Sequence, residues 1–319
     1  MSGDPLRAHY AADEYHGDPT FSSVRYEADI AFEKPHVDVL VNGCVHAPKG
    51  RPATAVPVHI SVGDIRKDLI VSGDRFWRLG PLGMSPSSPK PFDTIPIVYE
   101  RAFGGMTADA AETRNLVGVG FRGALPRNPD IHTEIPNVEY PNRRMLSKSD
   151  TPDPAGLNVI GRGWMPRIRY AGTFDKQWQE QRWPLLPADF DSRYNQCAPA
   201  DQQSLSLRGG EVARLVNLTA DGEWQFHLPV LNIPMLSLYT DGQTESRLRF
   251  DTVVVEPDAK RVTMTSRIAF TPKRNRRLLR EIVVGHVARG WVRARVKGKK
   301  YLDSSGRNGA PASELHYVL

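Results

Sequence analysis

From Ser23 to Pro48 the chain reads SVRYEADIAFEKPHVDVLVNGCVHAP, short alternating or β-branched runs broken at Lys34–Pro35, Asn42–Gly43 and Pro48. That period of two predicts strands separated by turns. The same texture continues through TAVPVHISVG, KDLIVSG and DRFWRL, where Ser72–Gly73–Asp74 is the expected hairpin turn between two five-residue strands of an antiparallel meander. From Pro81 to Pro96 five prolines remove backbone donors, which excludes a helix and any central strand. Between Met106 and Gly163 loop is expected, marked by Asn128–Pro129, Ile135–Pro136, Tyr140–Pro141 and Asp153–Pro154. The best helix runs from Asp175, a side chain able to cap free N–H groups, to Trp183, where Pro184 stops the ladder. Strand texture returns in EVARLVNL, GEWQFHLP, SRLRFDTVVVEP and KRVTMTSRIAF, with turns at Asp221–Gly222 and Asp258–Ala259. LLREIVVGHVARGWVRARV is assigned to strands as well, on its Val, Ile and Trp content.

The expected fold class is therefore mainly β, an antiparallel sandwich or barrel-like domain with long ordered loops and one or two short helices. No period of 20–50 residues repeats. A length of 319 residues allows one large domain or two. We expect a mobile segment over 1–22, a single β-rich domain over 23–301 and a tail over 302–319.

Composition narrows the setting. No apolar run approaches the ~18 residues that span a bilayer, and the N-terminal stretch is polar and acidic rather than basic then apolar, so no membrane partner and a cytoplasmic location are expected. Cys44 and Cys197 lie far apart without CxxC spacing, which fits a reducing compartment. Charge is concentrated: Pro272 to Lys300 holds eleven Lys or Arg against one Glu, a net of +10, while the whole chain carries +6.

Motifs for chemistry are sparse. GVGFRG, Gly118 to Gly123, matches the GxGxxG string, but ALPRNPD follows, and its prolines preclude the helix on which a pyrophosphate would sit. GxxxxGK[ST], GxSxG and HExxH do not occur. Cys44 and His46 share a strand face, with His36 and His59 near in sequence, a pattern more typical of packing than of a metal site; no metal or cofactor is expected. Asp189 and Asp191 share a face if extended, and paired carboxylates can split acid and base roles as in glycosidases. Against this, such residues are the ordinary means of fixing irregular loops, through Asx turns and Arg–carboxylate forks. The basic segment over 273–300 could meet phosphates, yet it lacks aromatic interleaving beyond Trp291 and Tyr301, so nucleic acid ranks below an acidic protein partner.

An ordered series of segments carries a family resemblance: PFDTIPIVYERAFGG (Pro91–Gly105), NLVGVGF (Asn115–Phe121), IPNVEYP (Ile135–Pro141), WMPRIRYAGTFDKQW (Trp164–Trp178), RWPLLPADFDSRYNQCAPADQQ (Arg182–Gln203) and LRGGEVARLVNLTADGEWQFHLP (Leu207–Pro229). With KPHVDVLVNGCVHAPKG and GDRFW they resemble the bacterial domain-of-unknown-function family numbered 2169, over about Asp29 to Tyr301. Two departures are Asn115–Leu116 in place of the family's Asn–Pro, and Thr265–Ser266 where a tryptophan often precedes the arginine. The resemblance implies a non-enzymatic adaptor or chaperone that binds a type VI secretion effector and helps load it onto the VgrG spike or a PAAR-like tip. Trp164 to Tyr194 contains seven aromatic residues, the residue types that anchor protein interfaces. The candidate partner-binding residues are Trp164, Arg167, Tyr170, Trp178, Trp183, Arg193 and Tyr194, with Arg293 and Arg295 from the basic segment. On one helix Trp178 and Trp183 would point about 140° apart, Trp183 inward and Trp178 outward. The alternatives are a carbohydrate-active hydrolase using Asp189 and Asp191, and a nucleic-acid binder using the 273–300 segment.

Overall fold

The computed structural model describes residues 10–81, 83–240, 242–268, 279–285 and 288–301, with the backbone of His316–Tyr317. Strand takes 35% and helix 13%, so the fold is mainly β as the alternation predicts; among the described residues the sheets are open and none closes into a barrel. Where the sequence suggested one domain over 23–301, the chain clusters into two compact units: Met1–Leu228 with Asp251–Thr265, and Pro229–Phe250 with Ser266–Leu319.

The first unit contains a five-stranded antiparallel sheet in the order Val138–Glu139, Ile65–Ser72, Ala55–Val62, Val212–Val216, Glu223–His227. Val56, Val58, Ile60 and Val62 are buried while the residues between them are not, the one-sided burial that alternation produces. The hairpin turn lies at Gly63–Asp64, with Val62 opposite Ile65, and not at Ser72–Gly73–Asp74. Gly63 has φ +58°, which a two-residue hairpin needs at its first central position. Gly73 serves a different end: a Cβ there would sit 1.8 Å from the Lys90 carbonyl oxygen. Lys67 falls on the buried side of its strand, where Asp201 (2.8 Å) and the Gln202 side-chain oxygen (2.9 Å) accept from its ammonium.

A four-stranded sheet runs Gln203–Ser204, Val37–Val41, Phe250–Glu256, Arg261–Ser266. Here the antiparallel expectation fails locally, because Val37–Val41 and Phe250–Glu256 pair in parallel. All five residues of Val37–Val41 are buried, as befits a strand covered on both faces. The prolines over 81–96 confine strands there to two-stranded ribbons: Gly83–Pro86 pairs with Trp77–Gly80, and Thr94–Pro96 with Cys44–His46. Within the expected mobile stretch 1–22, Glu14–Tyr15 pairs with Val24–Tyr26, and just beyond it the Ser23 amide and hydroxyl donate to Glu100 at 2.8 and 2.7 Å; residues 1–9 lie outside the described residues.

In the second unit Gly242–Arg247, Pro234–Tyr239, Leu279–Val284 and His316–Tyr317 form an antiparallel sheet. The expected tail over 302–319 otherwise lies outside the described residues. The strand assignment for 278–296 holds only to Val284. Gly285 then takes φ +105°, and Arg289–Val296 is helical. Val292, Ala294 and Val296 mimic a strand in their spacing, but in the helix buried Trp291 packs with Leu236, Leu238 and Val283, and Val292 lies against the same cluster. Among the described residues the other α-helix, α1, is Lys176–Gln181 in the first unit; Arg289–Val296 is α2.

Candidate partner-binding platform

The loops over 160–203 are irregular, so their backbone groups and side chains must be satisfied individually. Arg167, 4% exposed, does much of this. Its guanidinium donates to the carbonyls of Ile160 (2.6 Å) and Tyr194 (3.1 and 2.9 Å) and pairs with Glu27 at 2.8 Å. It thereby joins the turn Arg167–Tyr170 to the turn Ser192–Asn195. Burial penalises the Glu27 charge, but Arg167, then Lys34 and Arg162, outweigh it and hold the carboxyl below its usual range. Trp164 is also interior, 8% exposed and edge-on to Tyr99 at 5.3 Å. Of the candidate residues, these two face inward and brace the loops, so they cannot themselves touch a partner.

Asp38 anchors the far end. It is fully buried, paired with Lys34 at 2.7 Å, and accepts from the Gln196 side chain (2.6 Å) and the amides of Cys197 (2.9 Å) and Ala198 (3.2 Å). Burial opposes ionisation, yet Lys34 and the Cys197 donors outweigh it and lower the carboxyl pKa. Glu27 and Asp38 were not among the residues singled out from the sequence, since their partners are remote along the chain.

Between these anchors the chain closes a loop. Gly172, at φ +80°, lets the backbone approach Pro187, which a Cβ would meet at 2.8 Å. Asp189 accepts from the Thr173 amide (3.0 Å) and hydroxyl (2.7 Å). Asp191 accepts from the Arg193 amide and guanidinium, and that guanidinium lies 4.3 Å from the centre of the Tyr170 ring. Tyr194 meets Phe190 edge to face at 6.0 Å. Both carboxyls are held below their usual range, Asp189 by the Thr173 donors and Asp191 by Arg193. A glycosidase pair needs its two pKa values pushed apart, with one raised; these move the same way.

Asp175 caps α1 as expected, accepting from the Trp178 amide at 2.8 Å. The two tryptophans are placed in the reverse of the expected order. Trp178 is half-buried, edge-on to Phe174 at 4.8 Å, and its indole N–H donates to the Leu185 carbonyl at 2.8 Å. Trp183 is 68% exposed. The reason is that α1 ends at Gln181, so the helical angle between positions 178 and 183 never applies. Phe174, Leu185 and Ile168 are exposed too, at 55%, 64% and 44%. Phe174 and Leu185 were missed in the sequence, although both flank residues that were named.

The other candidates resolve differently. His46 and the Cys44 amide share Asp258, at 2.7 and 3.2 Å, and His59 bonds to Asp68 at 2.8 Å. Burial and then Asp258 push the Cys44 thiol up to about 11, the opposite of an activated nucleophile. Among the described residues no group of three His, Cys, Asp or Glu side chains could hold a metal ion. The glycines of GVGFRG permit close backbone packing: a Cβ on Gly118 would meet the Ala102 carbonyl oxygen at 2.5 Å and Gly104 Cα at 2.8 Å. Arg293 and Arg295 lie on α2 in the second unit, both exposed, with Arg295 paired to Glu281 at 2.7 Å. Lys273, Arg274, Arg276 and Arg277 lie outside the described residues.

A family model described as an uncharacterized protein conserved in bacteria (DUF2169) matches residues 5–267. The chain belongs to that family. The DUF2169 match begins before the Asp29 from which the resemblance was read and takes in the whole platform, but it ends before the basic segment, Arg293 and Arg295. No curated protein and no solved structure matches the chain. No helix among the described residues is long and apolar enough to cross a membrane.

Proposed function

We propose that this DUF2169 protein is a non-enzymatic adaptor that binds a type VI secretion effector and helps load it onto the VgrG or PAAR-like spike. The observation that carries the protein-binding part is the group of exposed apolar side chains, Ile168, Phe174, Trp183 and Leu185, on loops pinned by Arg167, Asp38 and Asp189. Exposed rings on a preorganised frame suit protein recognition, because little ordering entropy remains to be lost on binding. The secretion part rests on the family resemblance. Asp189 and Asp191 support the same reading, since both act as hydrogen-bond acceptors within the frame.

Co-expression with a candidate type VI toxin, chosen from among the gene's neighbours, tests the proposal. The chain should co-purify with that toxin and raise its soluble yield. A stable chain that retains neither the toxin nor the neighbouring spike protein would refute it, as would glycan cleavage that Asp189→Asn abolishes.

A further inference from the structure

In the second unit α2 lies on one face of the sheet and leaves a groove of about 740 Å³ beside it. The strand register sets one wall. Leu236 stands opposite Glu245 and Pro234 opposite Arg247, so these side chains share a face. It is the face on which Trp291 packs, through Leu236, Leu238 and Val283. The helix side of the groove is Arg289, Val292, Arg293, Val296 and Lys297, positions i, i+3, i+4, i+7 and i+8 of a single stripe. Apolar surface from Pro234, Leu236, Val292 and the 50% exposed Val296 is thus interleaved with cations from both walls.

Three features define what it would take. First, its charge is uncompensated. Arg247, Arg289, Arg293 and Lys297 line it against the single carboxylate of Glu245, four charges less one or +3, and none of the four cations pairs with an acid among the described residues. Arg295, off the stripe on the same helix, is by contrast paired with Glu281 at 2.7 Å. Second, the cations sit against the helix's own preference. Arg289 opens α2, whose first turn holds no acidic residue, and Arg289, Arg293 and Lys297 repel one another at spacings of four. Carboxylates supplied from outside would offset both effects. Third, the valines between the cations offer nothing to a phosphate chain, Glu245 repels one, and no aromatic side chain among the described residues lines the groove to stack a base. A peptide with apolar residues set between its acids uses valines and cations together. The stretches of this chain next to the helix are poor sources of such a peptide: 269–278 holds four basic residues and no acid, and the two acids of 302–315 stand 11 positions apart.

We propose that this groove docks a short acidic, amphipathic segment of a partner protein, its carboxylates on Arg247, Arg289, Arg293 and Lys297 and its apolar side chains on Val292 and Val296. α2 lies beyond the residues that the family model matches and no platform residue lines the groove, so the proposal goes beyond the adaptor reading and does not rest on it.

The test titrates the full chain into a fluorescently labelled peptide of repeating Glu-Leu-Leu-Glu, followed by anisotropy at about 50 and about 300 mM salt. Glu-Ser-Ser-Glu and Lys-Leu-Leu-Lys repeats and a labelled oligothymidylate are the controls. The Glu-Leu-Leu-Glu peptide should bind with a Kd of roughly 100 μM or tighter at low salt and about tenfold more weakly at high salt, and both control peptides should bind at least about tenfold more weakly than it does. Arg289→Glu on the helix and Arg247→Glu on the opposite wall should each weaken binding about fivefold, and Val296→Ser about threefold, with Tm unchanged. Lys299→Glu combined with Lys300→Glu, off the groove, should change it less than about twofold. The proposal is overturned if the acidic peptide does not bind, if the serine version binds as well, if Val296→Ser is silent, if Arg289→Glu and Arg247→Glu are silent in chains of wild-type Tm, or if the Lys299 and Lys300 changes weaken binding as much. Tighter binding of the oligothymidylate that Arg289→Glu abolishes would assign the groove to nucleic acid, and a dimer in sedimentation equilibrium that Arg289→Glu dissociates would assign it to a second copy of the chain; either result overturns the proposal.

Discussion

Replacing Asp38 with alanine should be among the most damaging single changes in the first unit. The side chain is fully buried and meets a Lys34 ammonium whose side chain is 2% exposed, so the substitution leaves that charge without its carboxylate and withdraws the acceptor of Gln196, Cys197 and Ala198. Breaking a buried pair from one side costs about 3–5 kcal/mol. For a unit of about 240 residues the unfolding entropy near the midpoint is roughly 0.5 kcal/mol/K, so Tm should fall by about 6–10 °C. Differential scanning calorimetry and urea unfolding followed by tryptophan fluorescence would measure it. Lys34→Met combined with Asp38→Asn should recover about 2 kcal/mol or more relative to the sum of the single changes, because both charges are then gone. The Asp38 carboxyl is lowered in the folded state, so its contribution is complete above the unfolded carboxylate pKa near ~3.9 and is lost as pH falls through the folded value. The Asp38→Ala penalty should accordingly persist from pH 8 to 5. A Tm within about 2 °C of wild type at pH 7, with an unchanged unfolding slope, would refute the reasoning.

Three further outcomes are expected. Trp178→Ala should lower stability by about 2–3 kcal/mol through loss of the Phe174 contact and the Leu185 hydrogen bond, whereas Trp183→Ala should leave the unfolding midpoint unchanged; equal midpoints for the two variants would contradict this. Asp189→Ala should speed tryptic cleavage at Lys176 and Arg182, while Asp189→Asn, which keeps an acceptor for Thr173, should resemble wild type in limited proteolysis. His16 is held down to about 4, by burial and then Arg25, and its Nε2 atom is buried without a hydrogen-bond partner. The unfolded chain therefore binds this proton from pH 6.5 downward while the folded chain refuses it, so stability falls as pH drops from 6.5 to 4, by up to about 1 kcal/mol per pH unit, and His16→Gln should flatten that slope.

Local rules exposed much of this architecture in advance. Alternation over Val56 to Val62 marks the buried face, Asp221–Gly222 marks the turn between Val212–Val216 and Glu223–His227, and Asp175 with Pro184 brackets α1. What stayed hidden depends on contacts between distant residues. Lys67 sits on an inward face where alternation asks for an apolar residue, and it is tolerated because Asp201 and Gln202 reach it from more than 130 positions away. Asp38 similarly reads as an interruption of an apolar strand until residues 196–198 arrive. The aromatic density of 164–194 pointed to a surface, but ring orientation followed from a helix that stops at Gln181 rather than from spacing, and so Trp178 and Trp183 exchanged roles. In α2, the spacing of Val292, Ala294 and Val296 fits a strand as readily as a helix; the packing of Trp291 on Leu236, Leu238 and Val283 goes with the helix.

The central claim is that the exposed rings of the platform bind a protein partner. Its most direct measurement is the Kd of the purified chain for a candidate effector, the partner class proposed above, by calorimetry or interferometry, for wild type and Trp183→Ala side by side. With Trp183 68% exposed, the variant should keep the wild-type Tm yet bind at least about 30-fold more weakly, the loss of about 2 kcal/mol expected of an interface anchor. An unchanged Kd for a Trp183→Ala chain that folds normally, with Phe174→Ala and Leu185→Ala equally silent, would contradict the account.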